Sequence, residues 1–159
     1  MKYLLLVIVF FIQGCATFTP VPEGYAGPLV TIEDTSNIVS NTKVQFFELV
    51  KVDARNVSSS SYETRVLNEG SGISMTPVIS KRQVPALKST LSIQGVTYFA
   101  APILAIGGGN FNVKGDVDME LKEDETYSVR GELSKTYSAV WVEDSKGNVV
   151  SQKIEKRKK

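Results

Sequence analysis

The 159-residue chain has no histidine and one cysteine, Cys15. Without histidine, zinc sites built from cysteine and histidine are excluded, and so are histidine-based catalytic triads. Without a second cysteine no intramolecular disulfide can form, so the fold rests on its core rather than on staples. Excess charge is missing too. The 18 basic residues are matched by 17 acidic ones, which argues against a nucleic-acid binder, since that needs net positive charge to displace counterions. The serines include none in a G-x-S-x-G elbow. No stretch sustains the 3.6-residue apolar spacing of a helix with good formers throughout, so helix is poorly supported.

What is present begins at the N-terminus. Lys2 precedes the apolar run Tyr3 to Ile12, followed by Gly14 and Cys15. As a helix, ten residues rise about 15 Å, roughly half the 30 Å core of a bilayer, which is too short for a stable span. Charge, apolar run and small residue have the order of a secretory leader that is removed. Residues 16–27, ATFTPVPEGYAG, carry Pro20, Pro22, Gly24 and Gly27. These break helix and central strand and read as a flexible tether.

The quartet Ile12-Gln13-Gly14-Cys15 resembles the lipobox of bacterial lipoproteins. The resemblance covers residues 1 to about 16. It implies a diacylglycerol on the Cys15 thiol, cleavage between Gly14 and Cys15, and an acyl chain on the new amino group. Ala16, in place of aspartate, implies sorting to the outer membrane, facing the periplasm, rather than retention at the inner membrane. No other cofactor is expected. Two or three acyl chains hold a protein stably at a bilayer where one does not. Cleavage there leaves residues 15–159, formally neutral and long enough for one core.

The rest reads as strands. In 111–121, Phe111, Val113, Val117, Met119 and Leu121 alternate with polar residues, and Gly115 is in phase with the apolar set. Such period-two alternation marks a strand with one wet face. A turn at Glu123–Glu125 leads to a second alternating run at 127–133, predicting an antiparallel hairpin. A further hairpin is expected from 137–143, a turn at 144–148, and a return at 149–154. Segment 43–54 is apolar on both phases, as a central strand would be. Other candidate strands are 29–33, 62–67, 74–80, 87–93 and 96–106. Seven to ten strands predict an all-β, immunoglobulin-like antiparallel sandwich, with a small closed barrel as the alternative. The expected organisation is a leader at 1–14, acylated cysteine and tether at 15–27, sandwich at 28–154 and a basic tail at 155–159.

Several stretches are candidates for function. The segment 98–110, YFAAPILAIGGGN, is the most apolar part of the body. It is expected as a buried strand ending in a glycine turn, or as a pocket wall or membrane-touching patch. Phe99, Ile103, Leu104 and Trp141 are the candidate ligand or partner contacts. Gly107-Gly108-Gly109 lacks the Lys-Ser/Thr and helix that a phosphate loop requires. Asp116, Asp118 and Glu120 fall on the wet face of an alternating strand, and Glu123, Asp124 and Glu125 on its turn, so solvation is expected before calcium or acid–base chemistry. Lys153 to Lys159 is a frayed basic terminus or a contact to anionic lipid.

Three functions fit these features: a non-catalytic, lipid-anchored binding or structural module of the cell envelope with a protein partner there, a carrier of a small apolar ligand in a barrel cavity, and a histidine-free hydrolase. The first is preferred, since no residue set names a reaction.

Overall fold

The computed structural model describes residues 19–157. The expectations for Gly14 and Cys15 lie outside them. The body is all-β and is built from two facing five-stranded sheets. Its strands are β1 (Leu29–Glu33), β2 (Thr35–Ser40), β3 (Lys43–Val52), β4 (Arg55–Asn56), β5 (Lys81–Pro85), β6 (Lys88–Phe99), β7 (Asn112–Glu120), β8 (Thr126–Leu133), β9 (Tyr137–Glu143) and β10 (Ile154–Arg157). One α-helix, α1 (Ser60–Leu67), and a 3₁₀ segment, Pro102–Gly107, interrupt them. The first sheet has the order β10-β9-β8-β1-β5, and the second β2-β3-β6-β7 with β4 beside the end of β3.

The sandwich expectation holds and the closed barrel does not. The β1 and β2 segments are consecutive in sequence but belong to different sheets, with Asp34 between them. At the opposite side the sheets meet through a side chain, not a ladder: Ile154 of β10 packs on Gly115 of β7, within about 3 Å of where a Cβ would stand. The pairing also departs from a purely antiparallel sheet, because β1 runs parallel to β8.

The core between the sheets is aliphatic. Ile32, Leu49, Val52, Val84, Leu91, Ile93, Val129, Val140 and Val142 are fully sealed. Each buried side chain of this size contributes about 1.5–3 kcal/mol relative to exposure. Phe47 crosses from the second sheet to the first, and its ring fills the place a side chain on Gly131 would need. A Cβ at Gly131 would also stand 2.5 Å from the Ala139 carbonyl oxygen. The glycine is there because the ring is.

Segment 43–54 is apolar on both phases for a reason the structure makes plain. Val44 and Phe46 face outward to a second small cluster with Met75, while Phe47 and Leu49 face the main core. A register shift between Leu49 and Lys51 then turns Val52 inward as well.

Other expectations are corrected. Residues 62–67 are helical, not extended. Residues 74–80 form no strand. Residues 87–93 and the first part of 96–106 are one strand, β6, which ends at Phe99 ahead of Pro102. Segment 98–110 is not a buried strand, since the 3₁₀ segment has no buried residue and Ile103 and Ile106 are 67% and 78% exposed. The Gly107–Gly109 turn is confirmed, with φ of 89° and 78° at Gly108 and Gly109. Val149 makes an isolated bridge to Glu143, and the return strand is β10, which runs to Arg157 through residues expected in the tail. The stretch expected as a tether is fastened in its later part: the Pro20 carbonyl accepts from Arg55 Nε at 3.2 Å, and the Tyr25 hydroxyl donates to the Pro28 carbonyl at 2.9 Å.

Candidate functional site

Asp34 is completely buried where the chain passes from one sheet to the other. An unpaired carboxylate in such a place would cost several kcal/mol. Here five donors converge on it. Its Oδ1 accepts from the Leu49 amide at 2.9 Å and Arg82 Nη1 at 2.8 Å. Its Oδ2 accepts from the Ser60 amide at 3.1 Å, the Ser60 hydroxyl at 2.7 Å and Arg82 Nη2 at 2.6 Å. The Arg82 guanidinium is itself nearly sealed, and its Nε donates to the Ser58 carbonyl. This two-pronged pair ties β1, β3, β5 and the start of α1 to one point.

A second carboxylate, Glu48, is buried on the outer face of β3 under the helix. It accepts from the Ser61 amide at 2.7 Å, the Ser61 hydroxyl at 2.7 Å and Gln94 Nε2 at 2.6 Å. Burial pushes its pKa up, against the lowering effect of the Gln94 and Ser61 hydrogen bonds, and Asp34 nearby adds to the rise. The first amides of α1 are thus taken in sequence by Asp34, by Glu48 and, at Tyr62, by the Ser59 hydroxyl at 3.4 Å. Negative charge at a helix N-terminus is favoured by the helix dipole.

The helix is inside out. Its buried face is polar, with Ser60 and Thr64 fully sealed. Along that face Ser60 Oγ, Thr64 Oγ1 and Asn68 Oδ1 accept from the amides of Ser80, Val78 and Thr76 at 2.9, 2.9 and 2.7 Å. Positions four apart on a helix rise about 6.0 Å, and positions two apart on an extended chain about 6.6 Å. The two spacings nearly match. Side chains of α1 therefore take the hydrogen bonds that a neighbouring strand would have given to residues 76–80. Pro77, lacking an amide hydrogen, falls between the bonded positions.

The apolar residues of α1 are left facing solvent. Val66 and Leu67 are 54% and 64% exposed, and Tyr62 carries the Arg65 guanidinium 5.2 Å from its ring centre. With Glu63 and Val78 they line an open cleft of about 430 Å³. An amphipathic helix normally turns its apolar stripe to the core. An exposed apolar patch on a folded body marks an interaction surface.

The four contact residues named from sequence are not brought together. Trp141 lies between the inward-facing Val140 and Val142 and points away from the core. Its Nε1 donates to Glu143 at 2.8 Å, and Lys153 Nζ lies 4.4 Å from its ring centre. Phe99 ends β6 in the other sheet, under Lys43 Nζ at 5.3 Å, and Ile103 and Leu104 follow on the 3₁₀ segment. Asp116, Asp118 and Glu120 are on the wet face as expected, the first two accepting from the Ser92 and Thr90 hydroxyls. Asp34, Glu48 and the apolar face of α1 were not anticipated. A signal existed: the serine run 58–61 stands just before Val66-Leu67 and supplies the N-cap, Ser59, with Glu63 in the first turn. No family model, curated protein or solved structure matches the chain.

Two outcomes follow. Asp34→Ala leaves the Arg82 charge and two backbone amides without their acceptor and should destabilise the fold by about 3–5 kcal/mol in urea unfolding. A loss under 1 kcal/mol would show that the pair does not hold the sheets. For Glu48 the folded-state pKa lies above the unfolded one, so the folded chain keeps a proton that the unfolded chain has released. Its contribution is full below the ordinary carboxyl range and is lost as pH rises through the folded-state pKa. Glu48→Gln should therefore gain in stability relative to the parent between pH 4 and pH 8. A pH-independent difference would contradict the raised pKa.

Proposed function

We propose that this chain is a non-catalytic binding module of the cell envelope, held at a membrane by acyl chains on Cys15, which docks a protein partner on the outward face of α1. The observation that carries the docking surface is the inversion of that helix: polar Ser60 and Thr64 are sealed, while Val66 and Leu67 stand in solvent. The reading as a binder rather than an enzyme is supported by the state of the buried carboxylates. The Asp34 oxygens are occupied by backbone, hydroxyl and guanidinium donors, and those of Glu48 by an amide, a hydroxyl and the Gln94 side chain. They hold the helix in place rather than facing a cleft. The anchor is supported by the resemblance of Ile12-Gln13-Gly14-Cys15 to a lipobox.

A photo-crosslinking residue in place of Val66 should capture a discrete partner in intact cells, and one in place of Lys146, an exposed turn position, should not. The double change Val66→Ser, Leu67→Ser should abolish capture by a crosslinker at Glu63 and shift stability by no more than about 0.5 kcal/mol, as for surface positions. Capture that survives it, or a partner held equally at Lys146, would remove α1 as the docking face. Cys15→Ala should abolish lipid labelling and release the protein from the membrane fraction. Retention there would refute the anchor.

A further inference from the structure

The 3₁₀ segment and the end of the sandwich that carries it suit a bilayer surface. Every strand end can be assigned to one of two poles. Lys43 begins β3 opposite Phe99 at the end of β6, and Asn112 of β7 pairs with Val96 nearby. Gln45 Nε2 donates to the Leu133 carbonyl across the sheets, which brings the β8–β9 turn to the same pole. Tyr137 and Arg157, paired at the start of β9 and the end of β10, lie there as well. At the other pole are the 53–55 turn with Pro20 fastened to Arg55, the 121–125 turn and the 144–148 turn. The ten residues of β3 set the poles about 30 Å apart.

The first pole is apolar at its tip and basic at its base. Ile103 and Ile106 project from the 3₁₀ segment, and no charged residue occurs from 94 to 113. Ile38, Val39 and Ile73, 63%, 50% and 66% exposed, approach it from two other segments. Those segments are tied there: the Ala100 amide donates to the Thr42 carbonyl at 2.9 Å, and the Met75 amide to the Asn41 carbonyl at 3.3 Å. Lys43 lies over the rings of Phe99 and Phe111. Lys135 and Lys156 share a cleft with Phe111, and Arg157 stands over the Tyr137 ring. Of the acids there, Glu155 is engaged by the Tyr137 hydroxyl at 2.6 Å and by Arg157, Glu132 precedes Leu133 and bears on Tyr137, and Glu69 lines a cleft with Tyr98 and Ala100. The second pole carries Glu123, Asp124, Glu125 and Asp144 on its turns, with Lys122 and Lys146 beside them.

From this placement we infer that the pole bearing Ile103 and Ile106 inserts those side chains into the interface of an anionic bilayer, with Lys43, Lys135, Lys156 and Arg157 on the headgroups. An exposed, uncharged tip with four basic residues beside it is the arrangement that apolar burial and headgroup attraction both favour. A protein groove would ask for the apolar tip but not for the surrounding cations. Pro20 is fastened at the other pole, so on a single bilayer this contact stands as an alternative to the Cys15 anchor, and it does not depend on acylation of Cys15.

The test uses the full chain with Ile103→Cys, labelled with nitrobenzoxadiazole and mixed with vesicles of phosphatidylethanolamine and phosphatidylglycerol. Unaltered chain taken through the same labelling reports any dye on Cys15. Ile103 is exposed, so the change leaves the core intact. The emission should shift to the blue and be quenched by spin-labelled acyl chains, at least about twofold more than from Lys146→Cys at the other pole. Lys43→Glu with Lys135→Glu should remove the signal, and raised salt should weaken it. No shift at position 103, or a shift without lipid quenching, overturns the inference, the latter pointing to a protein contact. Mass spectrometry of Cys15 decides the anchor separately: a bare thiol with a lipid-quenched probe defeats the anchor and leaves this contact standing.

Discussion

The Asp34 carboxylate governs this structure. A charge sealed at the crossing between two sheets is tolerable because Arg82 neutralises it and three further donors saturate its oxygens. Those donors come from β3, β5 and α1, so one group fixes the relation of both sheets and the helix. Removal of one partner of such a pair is far costlier than its net contribution suggests, because the other charge stays buried. Glu48 repeats the device without a cation. Burial pushes its pKa up, and the Gln94 and Ser61 hydrogen bonds offset that rise only in part.

From those two carboxylates the helix acquires its orientation. Their acceptors hold the first turn, and the stripe of Ser60, Thr64 and Asn68 holds the rest against residues 76–80. The helix contributes hydrogen-bond satisfaction to the body where most helices contribute apolar area. Its own apolar residues are thereby displaced to the surface, where Val66 and Leu67 form the rim of a cleft. The outer face of the second sheet is covered instead by Met75, which packs with Phe46, Val44 and Tyr98.

The sequence disclosed strands where one face is wet. In β7 and β8, apolar and polar residues alternate strictly, and both elements lie within a residue of where that alternation places them. It misled where hydrogen bonds are made by side chains. In residues 74–80 the amides of Thr76, Val78 and Ser80 bond to side chains of α1 and not to a ladder, which no spacing of apolar residues records. The helix itself escaped because its ordered stripe is polar. At 96–106 the apolar run continues past Phe99, but Pro102 stops the strand and the remaining residues turn outward. β2 and β5 were missed because Thr35–Ser40 and Lys81–Pro85 are short edge strands of mixed polarity. The buried acids stand in the sequence as Glu48 between Phe47 and Leu49 and Asp34 directly after Glu33, but neither setting reveals an acid's partners. Trp141, a candidate contact by sequence, is an outer-face residue of β9.

The inversion of α1 separates two kinds of information. Positions 60, 64 and 68 specify how the helix is mounted, and positions 63, 66 and 67 specify what it offers to the outside. Because no residue of the second set supports the core, that set can drift, be exchanged or be redesigned while the mounting stays as it is. A scaffold arranged this way can acquire a new recognition specificity by a few substitutions on one short element, with folding left unchanged.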